Sequence, residues 1–190
     1  MTNATLILVG LGANLPSAAG QPGETLTAAI DLIATEGVRI TQVSSFYETT
    51  ALPPSGQPNF VNGVFAAETS LTAKDVLKLF QSIETKFGRK PGERWSARTL
   101  DIDLLSYGET ILPNFGVWEE ICNSKDPAAI LEEPIVPHPR LHKRAFVMIP
   151  LLEVAPNWFH PCLKMTAGKL AESLVIRAQA DSVRKLSTCL

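Results

Sequence analysis

An α+β fold is predicted by three observations on this 190-residue sequence. Short apolar runs bounded by Gly, Pro, Asn or Ser have the length and β-branched content of strands. Two longer stretches repeat their apolar residues at the spacing of one helix face. The two kinds interleave in the order β-α-β-β-α-β. The first element, TLILVGLGANL from Thr5, reads as a buried strand running into a Gly-bearing turn. GETLTAAIDLIATEG follows, with Leu26, Ile30 and Ile33 at helical spacing and Gly37 as the stop. VRITQVSSFYETT alternates as a strand does and is rich in β-branched and aromatic residues; ALPPSGQPN is a Pro/Gly loop; FVNGVFAAETS is the next strand. Thr72 then starts a helix whose stripe is Val76, Phe80, Ile83 and Phe87, closed by Gly88. A basic loop leads to the strand LDIDLL. That order is the ferredoxin-like arrangement, an antiparallel sheet with two helices on one face and the other face left for loops and ligand. Beyond it, Pro113–Pro137 reads as a long excursion with one short helix. RAFVMIPLLEVAP suits a strand or a helix, Pro150 being awkward inside a long helix, and TAGKLAESL suits a short helix.

Residues 1–190 are expected to form a single domain. Apolar residues are 45% and charged residues 19%, enough apolar material for a buried core. A net charge of −2 gives no broad basic field, which excludes bulk nucleic-acid binding, so any anion site must be a local cluster. Cys122, Cys162 and Cys189 are odd in number and form no CxxC, which supports neither a disulfide framework nor a zinc site and suits a reduced, cytoplasmic location. No run approaches membrane length, and the N-terminus has no basic region before its short apolar run. A monomer is expected.

The chemistry concentrates around RTLDIDLL, residues 98–105. Alternation puts Asp101 and Asp103 on one strand face, where like charges repel unless a cation or basic group lies between them. Two such carboxylates suit magnesium, with phosphate and water completing the coordination; an edge strand guarded by charge is the other reading. Arg89, Lys90, Arg94 and Arg98 precede them, as a phosphate-binding loop or a solvated one. His138 and His142, four apart, raise a zinc site, but Pro139 breaks the helix it would need and no third ligand is evident; phosphate contact by His138 and Arg144 is the other reading. GLGANL lacks the third glycine of the dinucleotide fingerprint, leaving Gly10 and Gly12 as turn glycines. Tyr47, Phe60 and Asn62 either pack the core or hold a flat heterocycle by stacking and an amide.

Taken together, GLGANL, SSFYETTAL, PNFVN, QSIETKFGR, RWSARTLDIDLL and PHPRLHKRAFVMIPLLEVAP resemble the 6-hydroxymethyl-7,8-dihydropterin pyrophosphokinases of folate biosynthesis, in that family's order over most of residues 5–156. The resemblance implies the ferredoxin-like fold and transfer of the β,γ-pyrophosphoryl group of ATP to the pterin hydroxymethyl oxygen, releasing AMP. It implies two magnesium ions on Asp101 and Asp103, with Arg89 and Arg98 as catalytic arginines. ATP contacts would come from Gln81, Arg94, Arg98, His138 and Arg144. The pterin pocket would be Thr49, Leu52, Phe60, Asn62 and Phe146, with Trp95 as a lid. The sequence departs from the family in two places. Thr50 and Ala51 follow Thr49 where many members have proline, and Glu132, Glu133 and Pro134 precede IVPHP where some relatives place an arginine near the nucleotide. Two other classes remain. A nucleotidyltransferase would move AMP and release pyrophosphate. A ferredoxin-like binding module would not need both aspartates, and the intact RxxDxD argues against it.

Overall fold

The structure, a computed structural model, describes residues 4–50, 56–89, 97–124 and 134–187. Its main sheet is antiparallel throughout. The central strands are β1 (Thr5–Ala13) and β4 (Phe60–Thr69), with β5 (Asp101–Tyr107) on the outer side of β1. Helices α1 (Pro22–Ala34) and α2 (Ala73–Lys86) cover one face. Pro22 opens α1, where a missing N–H costs nothing. Thr72 caps α2, accepting from the Asp75 N–H at 3.2 Å. The expected stripes of both helices, Leu26, Ile30 and Ile33 with Val76, Phe80 and Ile83, meet Ile7, Val9, Leu11, Phe65, Ala67, Ile102 and Leu104 in the main core.

The single strand expected over VRITQVSSFYETT is two, β2 (Val38–Val43) and β3 (Tyr47–Thr49). Both pair along the same edge of β4, β2 with Phe65–Thr69 and β3 with Phe60–Asn62. Ser44 makes the joint, its hydroxyl accepting from the Val64 N–H at 3.0 Å. Phe46 then crosses into the main core directly over Gly63, where any side chain would meet the ring at 2.8 Å.

The second sheet face is less open than the sequence suggested. RAFVMIPLLEVAP forms a helix, α4 (Ala145–Val154), with Pro150 inside it. Met148, Leu151 and Val147 of α4 pack on Leu8, Val64, Ala66 and Leu105. Two short helices, α5 (Ala167–Ala171) and α6 (Leu174–Ala180), extend this layer, and β8 (Val183–Lys185), which nothing in the sequence foretold, pairs with β3. The excursion before α4 holds α3 (Phe115–Asn123), and its two ends are drawn together where Leu112 and Val136 pair. A two-residue hairpin, β6 (Phe159–His160) and β7 (Met165–Thr166), links α4 to α5. At the far end of this face, the C-terminal end of β1, the apolar layer gives way to Asn62, Asp101 and Asp103.

Candidate active site

That far end is paved by three strands in register. Gly12 of β1 lies between Asn62 of β4 and Asp101 of β5, and Gly10 lies between Val64 and Asp103. Successive side chains alternate across a sheet, so Asn62, Asp101 and Asp103 stand on the same face as Gly10 and Gly12. The glycines of GLGANL are therefore not turn glycines. They lie inside β1: Gly12 keeps the floor bare between the amide and the Asp101 carboxylate, while the Leu105 side chain packs over Gly10, 3.4 Å from where a methyl group would stand. A methyl group on Gly12 would stand 3.2 Å from the Asn62 amide oxygen.

On the β5 side, the Asp101 carboxylate receives two guanidinium groups on the same oxygen, Arg98 at 2.6 Å and Arg89 at 2.9 Å. Burial and the neighbouring Asp103 push the Asp101 carboxyl above its ordinary range, against the pull of Arg98 and Arg89. Arg89 follows directly on the left-handed Gly88 (φ 85°) that ends α2. It also pairs with Glu84, a residue that sequence reasoning misses. Burial drives Glu84 up to about 7, opposed by Arg89 and by the N–H of Ile102. Its one signal is a carboxylate at the i+4 position from Phe80, on the apolar stripe of α2. Asn14, also missed, holds Arg98 in place: its amide oxygen accepts from the Arg98 N–H at 2.7 Å, while the N–H groups of Asn14 and Leu15 both reach the Arg98 carbonyl. The other end of the Asn14 amide reaches Gln57 and the Pro58 carbonyl, in the loop leading to Phe60.

Above the floor stands the start of α4. His138 is fastened to β5 by its own N–H, which reaches the Leu105 carbonyl at 2.9 Å. Its Nδ1 accepts from the Arg140 N–H at 3.1 Å, so the neutral ring carries its proton on Nε2. Burial, then the charges of Arg144 and Arg140, drive His138 down to about 3. Arg144 stands at the N-cap of α4, where burial loosens its hold on its proton against the attraction of Asp103 and then Asp101. Its guanidinium carbon lies 5.6 Å from the centre of the Phe146 ring.

On the β4 side, Asn62 is 5% exposed and donates to the Thr49 hydroxyl at 2.8 Å. Alternation and register put Phe60 and Thr49 on the same face. Tyr47 does not join them as an open aromatic: it is buried and its hydroxyl donates to Glu153 of α4 at 2.8 Å. Gln81 is exposed on α2, three residues before Glu84. Leu52, Arg94 and Trp95 lie outside the described residues.

The zinc reading of His138 and His142 does not hold. His142 packs with Trp118 and His160, its Nε2 3.8 Å from the Cys122 sulfur, while the His138 Nδ1 is taken by the Arg140 N–H. Among the described residues, no group of three or more His, Cys, Asp or Glu side chains is disposed to hold a metal. A divalent cation at Asp101 and Asp103 would complete its shell from a ligand's own oxygens. The donor set fits that case, being two hard carboxylates on one face.

Residues 8–156 match the family of 7,8-dihydro-6-hydroxymethylpterin-pyrophosphokinases. The chain belongs to that family. It is 33% identical over 181 residues to the 2-amino-4-hydroxy-6-hydroxymethyldihydropteridine pyrophosphokinase of Pseudomonas aeruginosa, covering 95% of this chain and 96% of that one. Its identity to the enzyme of the same name from Haemophilus influenzae is 35% over 154 residues, covering 80% and 83%. Among solved structures, the fold is shared with HPPK-DHPS of Plasmodium falciparum at a TM-score of 0.64 and 14% identity, over 95% of this chain. The chain spans 46% of that longer protein.

Proposed function

We propose that the bare floor between Asn62 and Asp101 is where this pyrophosphokinase works. The reaction is transfer of the pyrophosphoryl group of ATP to 6-hydroxymethyl-7,8-dihydropterin, giving AMP and the pterin diphosphate. The observation that carries the placement is the row Asn62–Gly12–Asp101. One end offers an amide to a flat, neutral heterocycle, the other offers carboxylates and arginines to a polyphosphate, and no side chain separates them.

Asn62 and Thr49 would hold the pterin by hydrogen bonds, with Phe60 and Phe146 against its rings; Leu52 and Trp95 complete that set by resemblance. Asp101 and Asp103 would hold two magnesium ions, which polarise phosphoryl oxygens and neutralise charge that builds up in transfer. Arg89 and Arg98 stand at the same carboxylate and would turn to the transferred group as charge develops on it. His138 would donate from Nε2, and Arg144 would offer a bidentate contact to ATP phosphates. Gln81 and Arg94 would add nucleotide contacts. The chain would act as a cytoplasmic monomer. Such transfer needs positioning and charge neutralisation more than a strong base, which matches a site without a basic histidine.

The test is chromatography of the nucleotide product after incubation with ATP, magnesium and the reduced pterin. AMP without free pyrophosphate is expected. Release of pyrophosphate with a nucleotidylated pterin would make the chain a nucleotidyltransferase, and ADP would make it a simple kinase; either overturns the proposal.

A further inference from the structure

Glu84 has no part in the chemistry above, yet it is 5% exposed beneath the site and makes two contacts there. Its Oε1 accepts from the N–H of Ile102 at 2.7 Å and pairs with the Arg89 guanidinium. Ile102 is the residue between the two aspartates, on the outer strand of the sheet. Nothing about helix stability calls for an acid at this position. Glu84 lies in the last turn of α2, where the helix dipole favours cations, and on an otherwise apolar stripe, where a carboxylate is costly to bury.

Its place makes sense once Asp101 is loaded. One Asp101 oxygen carries both Arg89 and Arg98. Divalent cations on that carboxylate would compete with both guanidiniums for it. Arg98 has a backbone anchor in Asn14; the guanidinium of Arg89 has Glu84. Resting on the assignment of Asp101 and Asp103 to divalent cations, we propose that Glu84 is a positioning residue. It clamps β5 between the two aspartates and keeps Arg89 at the site when cations take over Asp101.

The first test is made on the wild-type protein. In protein labelled with nitrogen-15, the Nε–H signal of Arg89, assigned by its loss in R89K, is followed while magnesium is added with a non-hydrolysable ATP analogue. The signal is expected to stay sharp and protected from exchange; its disappearance into exchange would overturn the proposal. The second test uses E84Q, which keeps an oxygen for the Ile102 N–H but loses the charge. Turnover is expected to fall at least tenfold, the KM for pterin to change less than twofold, and the melting temperature to change by only a few degrees. In an R89A background E84Q should cost nothing further. An equal loss in both backgrounds, or full turnover in E84Q, would reduce Glu84 to a structural residue. Should wild-type protein release no AMP, the functional reading fails by itself, and the Arg89 signal under magnesium alone still decides whether Glu84 retains the arginine.

Discussion

At the scale of single residues, the two ends of the floor are separable. Replacing Asp101 or Asp103 by Ala is expected to lower AMP release by roughly a thousandfold or more at saturating magnesium, with the fold intact by circular dichroism, because charge neutralisation is the main lever in phosphoryl transfer. Near-normal release in either variant would remove the metal assignment. Asn62→Ala strands the Thr49 hydroxyl and removes the amide, a loss of about 1–3 kcal/mol where a buried polar group is left unpaired. Calorimetry should find pterin binding weakened roughly ten- to a hundredfold and ATP binding unchanged; equal weakening of both would make Asn62 structural. The aspartates are legible in the sequence because strand alternation is enough to put them on one face. Glu84 is not, since a charge on a helix stripe looks like one more solvated residue until its partners arrive from other segments. Gly10 and Gly12 mislead for a similar reason: a glycine marks both a turn and a bare patch of strand, and only cross-strand register distinguishes them.

At the scale of elements, Glu153 of α4 fastens the β3 edge of the sheet. It accepts from the Ser45 N–H at 2.6 Å and the Tyr47 hydroxyl at 2.8 Å, and pairs with Lys185 of β8 at 2.7 Å. Burial works to raise its carboxyl, but Lys185, the Ser45 N–H and Tyr47 together outweigh it and hold the group at about 2. A depressed carboxyl adds stability above its unfolded value, near 4.5, and that stability is lost as pH falls toward 2. E153Q should therefore melt lower than wild type at pH 7, and its melting temperature should fall less steeply below pH 4.5. Parallel melting curves against pH for the two proteins would mean the three contacts carry no charge-dependent stability. The elements around Glu153 are the hardest to foresee. In α4 the apolar residues run all round the helix, as a helix buried between a sheet and other helices requires, so its period gives no sign of which face is inside. In β8 three residues become a strand only because β3 lies beside them. By contrast, α1, α2, β1, β4 and β5 each bury a single face or a continuous run, and each is readable from its own residues.

At the scale of the whole molecule, all three histidines are held below their ordinary value of 6.5: His138 to about 3, and His142 and His160 to about 4, chiefly by burial. His160 is fully buried beside Trp118 and Trp158, and its Nδ1 accepts the N–H groups of Cys162 and Leu163. A histidine that resists protonation in the fold adds stability above pH 6.5 that declines as the pH falls through 4, each tenfold loss of proton affinity being worth about 1.4 kcal/mol. The melting temperature should thus begin to fall below pH 6.5, before most carboxylates titrate. H160N, whose amide oxygen can take the place of Nδ1, should flatten that decline. A stability that stays level from pH 6.5 to 4.5 would count against neutral buried histidines. The sheet itself imposes an order of construction. Glu48 of β3 and Arg184 of β8 are joined at 2.6 Å across 136 residues of chain. As the polypeptide leaves the ribosome, β3 can meet β4 almost at once, while its other edge must wait for nearly the rest of the described chain. For that interval the strand carrying Thr49 presents unpaired N–H and carbonyl groups to any extended segment nearby, an opening for pairing with the wrong strand.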